Sequence, residues 1–218
     1  MQKIEKLEKY IGYEFKNKEL LIQALTHPSY SNENSYERLE FLGDIILDAI
    51  VGVYLFKKYK NEDESFLTDL KSAYVNRNFL HKVGSHLNLR KYIRFKGHQI
   101  SHLDNFVESI IGAIYIDGGW RRAENFIKNF ILKIPVEPLK DYKSLLHTFS
   151  IKISGFPPVY RVVNEKGPPH KRAYEVKVKI PGKRYVGRGK GRTKKEAEMN
   201  AAKNLLKKFD RVRKSPYN

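Results

Sequence analysis

One strongly apolar segment carries four carboxylates at helical spacing. Residues 37–55 are dominated by Leu, Ile, Val and Phe, which predicts a long helix. Glu37, Glu40, Asp44 and Asp48 are three or four residues apart, so they fall within an arc of roughly 80° on one helix face. A helix that is apolar on nearly all sides is expected to be buried, where a carboxylate is costly without a positive neighbour. We therefore predict a divalent metal ion on this face.

A second apolar segment has the same character. It runs from residue 104 to residue 117 and carries Glu108 among aliphatic neighbours. Asp104 and Asn105 both lie within one helical turn of Glu108, so either is able to share its face. Oxygen ligands without His or Cys favour Mg²⁺ or Mn²⁺ over zinc. The alternative for each set of carboxylates is that they pair with Lys or Arg or lie on a solvated helix face. The apolar residues on either side make this alternative weaker.

The net charge of the chain indicates a polyanionic partner. It is +18 at pH 7, with a pI of about 9.8, a balance typical of nucleic-acid binding. The charge is uneven, because residues 140–218 hold 22 basic and 6 acidic residues, whereas the remainder has a net charge of only +2. An acidic metal site beside a basic, nucleic-acid-binding half suits phosphodiester hydrolysis.

The absence of cysteine and of long apolar runs excludes several classes of protein. Without cysteine the chain forms no disulfide, zinc–thiolate site or thiol nucleophile. The N-terminus has no signal-peptide core, and no charge-free apolar run is long enough to cross a bilayer. We expect a soluble cytoplasmic protein that has no membrane partner.

Hydrophobic periodicity divides the chain into two domains. Residues 1–134 predict only helices, at 2–10, 17–26, 35–59, 64–75, 76–88, 102–117 and 120–133. The prolines within 135–140 predict a linker. Residues 141–209 predict a helix to 153, strands at 159–164, 173–180 and 183–187, and a helix from 194, with a basic tail at 210–218. The expected fold is an all-α domain followed by a small α+β domain of order α-β-β-β-α.

Several motifs of the first domain resemble one known family. Glu-Arg-Leu-Glu-Phe-Leu-Gly-Asp at 37–44 is similar to the signature of the ribonuclease III family, and residues 108–117 resemble its second acidic motif. Residues 12–15, 24–30 and 64–68 resemble further motifs in the same order. The resemblance implies an all-helical endonuclease domain that forms a symmetric homodimer, in which each subunit hydrolyses one strand of double-stranded RNA.

The resemblance also implies roles for individual acids. Glu40, Asp44 and Glu108 match the metal ligands of the family, and Glu37 and Glu64 match acids at its cleavage site. The implied cofactor is Mg²⁺, with Mn²⁺ as a substitute, and no nucleotide cofactor is expected.

Two positions leave alternatives open. Phe41 matches a residue at the dimer interface, although an ordinary core phenylalanine fits the sequence equally well. Asn105 stands where the family usually has an aspartate. Asn105 then ligates through its carbonyl oxygen, or Asp104 takes its place, or the site is impaired. Because ligand charge tunes divalent affinity, we expect weaker metal binding than in the usual pattern.

Residues 141–209 resemble a double-stranded-RNA-binding domain. Three of its segments match RNA-contacting elements: the first helix, the loop between the first two strands, and the start of the last helix. The implied RNA-binding residues are His147, Thr148, Gly167, Pro168, His170, Thr193, Lys194 and Lys195. The last two lie at a helix N-terminus and predict a phosphate clamp. His147-Thr148 departs from the usual Gln-Glu, and a generic solvated basic face is the alternative for the lysines.

The sequence as a whole predicts an endoribonuclease. By resemblance it cleaves double-stranded RNA to 5′-phosphate and 3′-hydroxyl ends and processes precursor ribosomal and messenger RNA. The alternative is a catalytically impaired double-stranded-RNA-binding or ribosome-associated module. Asn105 is the only residue that supports this alternative, and the acids at predicted buried positions argue against it.

Overall fold

A computed structural model describes residues 2–97, 100–168 and 172–213. The internal contacts divide the chain after Leu139 into two compact units. Each unit has its own hydrophobic core. The predicted two-domain fold class is confirmed: a helical first unit is followed by an α-β-β-β-α second unit. Within the described ranges, no helix combines the length and the apolar character that crossing a bilayer requires.

The described residues of the first unit form seven α-helices. They are α1 (Gln2–Ile11), α2 (Lys18–Ala24), α3 (Glu37–Lys58), α4 (Glu64–Val75), α5 (Arg77–His86), α6 (Asp104–Gly118) and α7 (Trp120–Ile127). A 3₁₀ turn covers Leu89–Lys91, and a π-helical turn, Lys128–Leu132, extends α7. Thr26 and Arg94 form an isolated parallel bridge. Asparagine and aspartate side chains cap α2, α4 and α5 by accepting backbone N–H bonds.

The central contact of this unit is the crossing of α3 and α6, where two glycines let the backbones touch. A Cβ atom on Gly43 would lie 1.7 Å from the carbonyl oxygen of Glu108, and one on Gly112 would lie 2.2 Å from that of Leu39. Neither position has room for a larger residue, because the neighbouring atoms belong to the backbone. The crossing therefore fixes the acidic part of α3 beside Glu108.

The expectation that α3 is buried all round is wrong. Phe41 is 72% exposed and Phe56 71% exposed, and Ile45 and Val53 are nearly half exposed. The opposite side of the helix, including Leu47 and other aliphatic side chains, lies in the core. The helix therefore has two apolar sides. One side packs in the core of the unit, and the other is exposed on its surface.

The second unit is a three-stranded antiparallel sheet covered on one face by two helices. Its elements are α8 (Tyr142–Ser154), β1 (Val159–Lys166), β2 (Ala173–Lys179), β3 (Val186–Gly191) and α9 (Lys194–Arg213), with strand order β1-β2-β3. Val176 and Val178 point from β2 into a core closed by Leu146 of α8 and by Ala201 and Leu205 of α9.

The predicted third strand, 183–187, is wrong in its bounds, since β3 runs from Val186 to Gly191. A Cβ atom on Gly187, Gly189 or Gly191 would lie 2.2–2.5 Å from backbone atoms of α9. Strand glycines of this kind mark the close approach of another element. They also remove the apolar half of the alternation by which a sequence pattern identifies a strand.

Gly112→Ala tests the crossing of α3 and α6. We expect the variant to lower the free energy of unfolding by about 3 kcal/mol, because an added methyl group meets a backbone that has no free space to move into. Urea unfolding followed by circular dichroism measures the change. A variant that is as stable as the parent would contradict the close contact, since alanine otherwise stabilises a helix relative to glycine by about 1 kcal/mol.

Candidate active site and RNA-binding surface

The carboxylates of α3 and α6 form one electrostatically coupled cluster. Burial, reinforced by the charges of Asp44 and Glu40, raises the pKa of Glu108 to about 8. Burial and the nearby charges of Asp104 and Glu37 raise the pKa of Glu40. Burial and its neighbour Asp48 raise the pKa of Asp44. Each carboxyl group is therefore harder to ionise in the folded protein, because burial disfavours the charged form and the nearby cations do not offset it.

The donor set of this cluster fits a hard divalent cation. Glu40, Asp44 and Glu108 offer only carboxylate oxygens, the ligand type of Mg²⁺ and Mn²⁺. Among the described residues, no three His, Asp or Glu side chains stand close enough together to enclose an ion. The carboxylates thus share one electrostatic field without forming a closed set of ligands.

Asp104 and Asn105 are held by different partners. Asp104 is buried, and its Oδ2 lies 3.0 Å from the Nε of Arg77 in a salt bridge, whereas its Oδ1 has no hydrogen-bond partner among the described residues. The side-chain nitrogen of Asn105 donates to the Tyr36 hydroxyl at 3.1 Å. This bond leaves the carbonyl oxygen as the atom with which Asn105 is able to ligate. The structure therefore pairs Asp104 with arginine and orients the amide of Asn105.

The remaining acids have local hydrogen-bond partners. Glu37 accepts from the Ser35 hydroxyl at 3.0 Å, and Glu64, the first residue of α4, accepts from the Thr68 hydroxyl at 3.0 Å. Asp48 forms a 2.6 Å salt bridge with the Nζ of Lys71. The charge of Asp48, the last of the four acids on α3, is thus neutralised by an ordinary ion pair.

Sequence reasoning did not identify three residues that surround the cluster: Arg77, Tyr36 and Lys71. The positive charge of Arg77 lowers the pKa of both Glu40 and Glu108, although burial dominates at each site. These residues carry no motif, and the fold brings them to the acids from other elements. A sequence pattern has no signal for such partners.

The RNA-binding candidates of the second unit lie on α8, on the β1–β2 loop and at the start of α9. Thr193 Oγ1 accepts from the backbone N–H of Glu196, whose carboxylate accepts from the N–H of Arg192 at 2.7 Å. This capping box leaves the lysines at 194 and 195 exposed at the N-terminus of α9, where the helix dipole adds to their positive charge.

The other RNA-binding candidates are also at the surface. The exposed ones are His147, Thr148, Gly167 and Pro168. His170 lies outside the described residues. Gly167 has a φ of 96°, a conformation that glycine adopts without strain.

Two family models match this chain. One is described as Ribonuclease-III-like and matches residues 17–134, and the other is described as a double-stranded RNA binding motif and matches residues 142–209. Proteins named Ribonuclease 3 are similar over nearly the whole chain. The one from Nitratiruptor sp. is 36% identical over 220 residues, covering 95% of this chain and 97% of its own length. The one from Clostridium perfringens is 40% identical over 224 residues, covering 95% and 94%.

Solved structures of the nuclease domain of ribonuclease III from Campylobacter jejuni resemble the first unit. A crystal structure at 2.2 Å resolution is 41% identical, with a TM-score of 0.57, and the match covers 61% of this chain and 96% of that one. A second structure, described as showing flexibility in a region involved in dimer formation, has the same identity and TM-score and covers 60% and 96%.

A helical domain with a carboxylate cluster, joined to an α-β-β-β-α domain, defines a nuclease that acts on double-stranded RNA. The chain belongs to the ribonuclease III family. It is a ribonuclease III-like endoribonuclease, and its second domain binds double-stranded RNA.

The raised pKa of Glu108 predicts how stability depends on pH when no metal is added. The folded pKa of about 8 lies above the ordinary value of 4.5, so the folded state holds the proton more tightly than the unfolded state does. The contribution of Glu108 to stability is therefore complete below about pH 4.5 and is lost as the pH rises through 8. Glu108→Gln, which does not titrate, is expected to raise the melting temperature at pH 8.5 and to leave it nearly unchanged at pH 4.5.

Calorimetry of both proteins in EDTA measures this difference. Glu124→Gln is a matched control, because Glu124 of α7 is partly exposed and forms an ordinary ion pair with Lys128, the first residue of the π-helical turn. A gap between parent and variant that does not widen from pH 4.5 to 8.5 would contradict the shift.

Proposed function

We propose that this endoribonuclease uses Mg²⁺, or Mn²⁺ in its place, to hydrolyse phosphodiesters on both strands of double-stranded RNA, leaving 5′-phosphate and 3′-hydroxyl ends. The observation that carries the proposal is that the crossing of α3 and α6 gathers Glu40, Asp44 and Glu108 into one cluster, where burial first and neighbouring carboxylates second raise their pKa values. Three carboxyl groups that resist ionisation in a nuclease are stabilised by a divalent cation, which supplies the missing positive charge.

The residues of the chain have distinct parts in this proposal. Glu40, Asp44, Glu108 and the carbonyl oxygen of Asn105 would hold the ion. When bound, such an ion activates water for attack on phosphorus and stabilises charge on the phosphate oxygens. Because Glu108 keeps its proton at neutral pH without the ion, binding requires release of that proton and becomes stronger as the pH rises.

Tyr36 and Arg77 are positioning residues in the same proposal. The hydroxyl of Tyr36 orients the amide of Asn105, and Arg77 holds Asp104 in an ion pair. Asp104 is therefore not needed as a ligand, and Asn105 leaves the site with one negative charge fewer than an aspartate would. A weaker affinity for Mg²⁺ follows from this difference.

Cleavage of an end-labelled RNA duplex, analysed on gels with Mg²⁺, Mn²⁺ or EDTA, tests the proposal. We expect discrete cuts on both strands with either metal and none in EDTA. Glu108→Gln should lower the rate by about 100-fold or more, since even the outer partners of metal ligands contribute 10–100-fold. Its affinity for the duplex in EDTA should stay within about twofold of the parent, because phosphate contacts in the second domain dominate binding.

Two further variants sharpen this experiment. Glu124→Gln removes a partly exposed acid outside the cluster and should cleave like the parent. Asn105→Asp should reduce the Mg²⁺ concentration needed for half-maximal cleavage if residue 105 is a ligand, and an unchanged requirement excludes that role. Tight binding without cleavage in either metal would replace the proposal with the binding-module alternative.

The exposed apolar stripe on α3 supports the second part of the proposal, a homodimer. Phe41, Ile45, Gly52 and Phe56 fall within roughly 60° of one another around the helix. The core alternative for Phe41 is wrong within the protomer, because its side chain is exposed. A Cβ atom on Gly52 would meet no atom of its own chain within 4 Å, so the protomer gives no packing reason for a glycine there. Close approach of a second helix explains both features.

Phe41→Glu combined with Phe56→Glu tests the homodimer. Charges at the centre of an apolar interface oppose association, so we expect the sedimenting species to change from dimer to monomer and double-strand cleavage to be lost. Tyr10→Glu, at an exposed aromatic residue of α1, is the control and should leave the dimer intact. A parent protein that sediments as a monomer at micromolar concentration would contradict the dimer directly.

The physiological substrates and the compartment are proposed on the family relationship. Proteins of this kind suit the processing of precursor ribosomal and messenger RNA, and the composition predicts the cytoplasm. The absence of cysteine agrees with a reducing compartment. Both statements stay predictions.

A further inference from the structure

The outer face of the sheet in the second unit carries an unusual row of charge. Successive residues of a strand point to opposite faces, and Val176 and Val178 point into the core, so Lys177 points outward. Arg161 lies directly opposite Lys177 across β1 and β2, and Arg188 lies opposite it across β2 and β3. Three cations therefore stand side by side across the whole sheet.

The row extends into a larger basic surface. The basic residues at outward positions of the described strands are Arg161, Lys166, Lys177, Lys179, Arg188 and Lys190. Glu175 is the one acid at those positions. Like charges opposite each other in a sheet are destabilising. Among the described residues none of the three cations in the central row forms a salt bridge with an acid, so the fold alone does not compensate the repulsion.

The surface continues over the edge of β3 onto α9. A hollow of about 450 Å³ is lined by Lys177, Val186, Arg188, Asn204, Lys207 and Lys208. Four of these residues are cationic and none is acidic. An anion that enters the hollow therefore meets lysine and arginine from both the sheet and the helix.

Hydrogen bonds along the edge of β3 hold α9 against the strand beside this hollow. The side chains of Asn200 and Asn204 donate to the carbonyl oxygens of Lys190 and Arg188, each at 2.8 Å, and the Nζ of Lys208 donates to that of Val186 at 2.7 Å. The three donors follow one another at intervals of four residues on α9, so they lie on one helix face. That face covers the carbonyl groups on the free edge of β3. This ladder fixes α9 against the strand that carries Arg188.

The basic surface is separate from the RNA-binding candidates on the helices. His147 and Thr148 belong to α8, which covers the inner face of the sheet together with α9. Lys194 and Lys207 are thirteen residues apart on α9, which corresponds to about 20 Å along the helix. One duplex bound across the helices would leave the outer face of the sheet accessible.

We propose that the outer sheet face, defined by Arg161, Lys177, Arg188, Lys207 and Lys208, binds the phosphate backbone of a second double-helical RNA segment. Neighbouring strands are about 4.8 Å apart, so the central row spans roughly 10 Å and faces several phosphates rather than a single anion. The outward strand positions carry no aromatic side chain on which an unpaired base would stack. The surface therefore reads backbone charge and not sequence.

A capture experiment with the full-length protein in EDTA tests this second site. A biotinylated RNA duplex of about 16 base pairs, the span of one such domain, is immobilised and saturated with protein. A labelled duplex of the same length is then added, and its retention is measured at several salt concentrations. The parent protein should retain the labelled duplex with a strong salt dependence. Lys177→Gln combined with Arg188→Gln should reduce retention and lower the salt slope by about 2.

Controls separate this site from the alternatives. Arg121→Gln with Lys133→Gln removes the same charge from exposed positions of the first unit and should retain the labelled duplex like the parent. Affinity for the first duplex should change less than twofold in both variants. Undiminished retention by the Lys177 and Arg188 variant would assign capture to the helical surface of a partner subunit and overturn the proposal. Equal loss of first and second binding would also overturn it, because the row would then belong to the first site.

Folding of the variant is checked by its melting temperature. Removal of two members of a like-charge row should leave the melting temperature equal or higher, so lost capture with an unchanged melt is a loss of binding. Arg161→Gln with Lys207→Gln changes the same surface through other elements. It should reduce capture in the same way, and full capture by this second variant would exclude a continuous site.

Discussion

The close contact between α3 and α6 is the constraint on which the catalytic domain depends. Glycine is the only residue type that fits at positions 43 and 112, because a carbonyl group of the opposite helix occupies the space that a side chain would need. The same contact sets the distance between acids that are more than sixty residues apart in the chain. Helix packing and the arrangement of the candidate acids are therefore one requirement at this point.

Much of the fold could be predicted from the sequence because its signals are local. The helices of the first domain follow apolar periodicity, and the capping box at Thr193 marks the start of α9 correctly. The third strand could not be bounded in this way. The residues of β3 that face the core are glycines, because α9 packs too close to the strand for a side chain. The apolar alternation that identifies a strand is therefore missing.

The acids of the candidate site could be predicted from the sequence, but the residues that contact them could not. Glu40, Asp44 and Glu108 stand out because they interrupt apolar helices, but Arg77 and Tyr36 reach the site only through tertiary packing. The exposed side of α3 shows a second limit. An apolar residue on an exposed helix face and one in the core have the same hydrophobicity, so a single sequence does not show on which side of the helix Phe41 lies.

The ladder of Asn200, Asn204 and Lys208 has a further consequence for how the small domain behaves at high concentration. An unpaired strand edge is a template on which another chain can add a strand, and the ladder occupies the acceptors along β3. The edge along β3 therefore offers an added strand fewer free acceptors, and among the described residues no comparable row of side chains covers the edge of β1. Growth of a sheet through many copies needs two open edges, so occupation of these acceptors opposes edge-to-edge polymerisation of the domain.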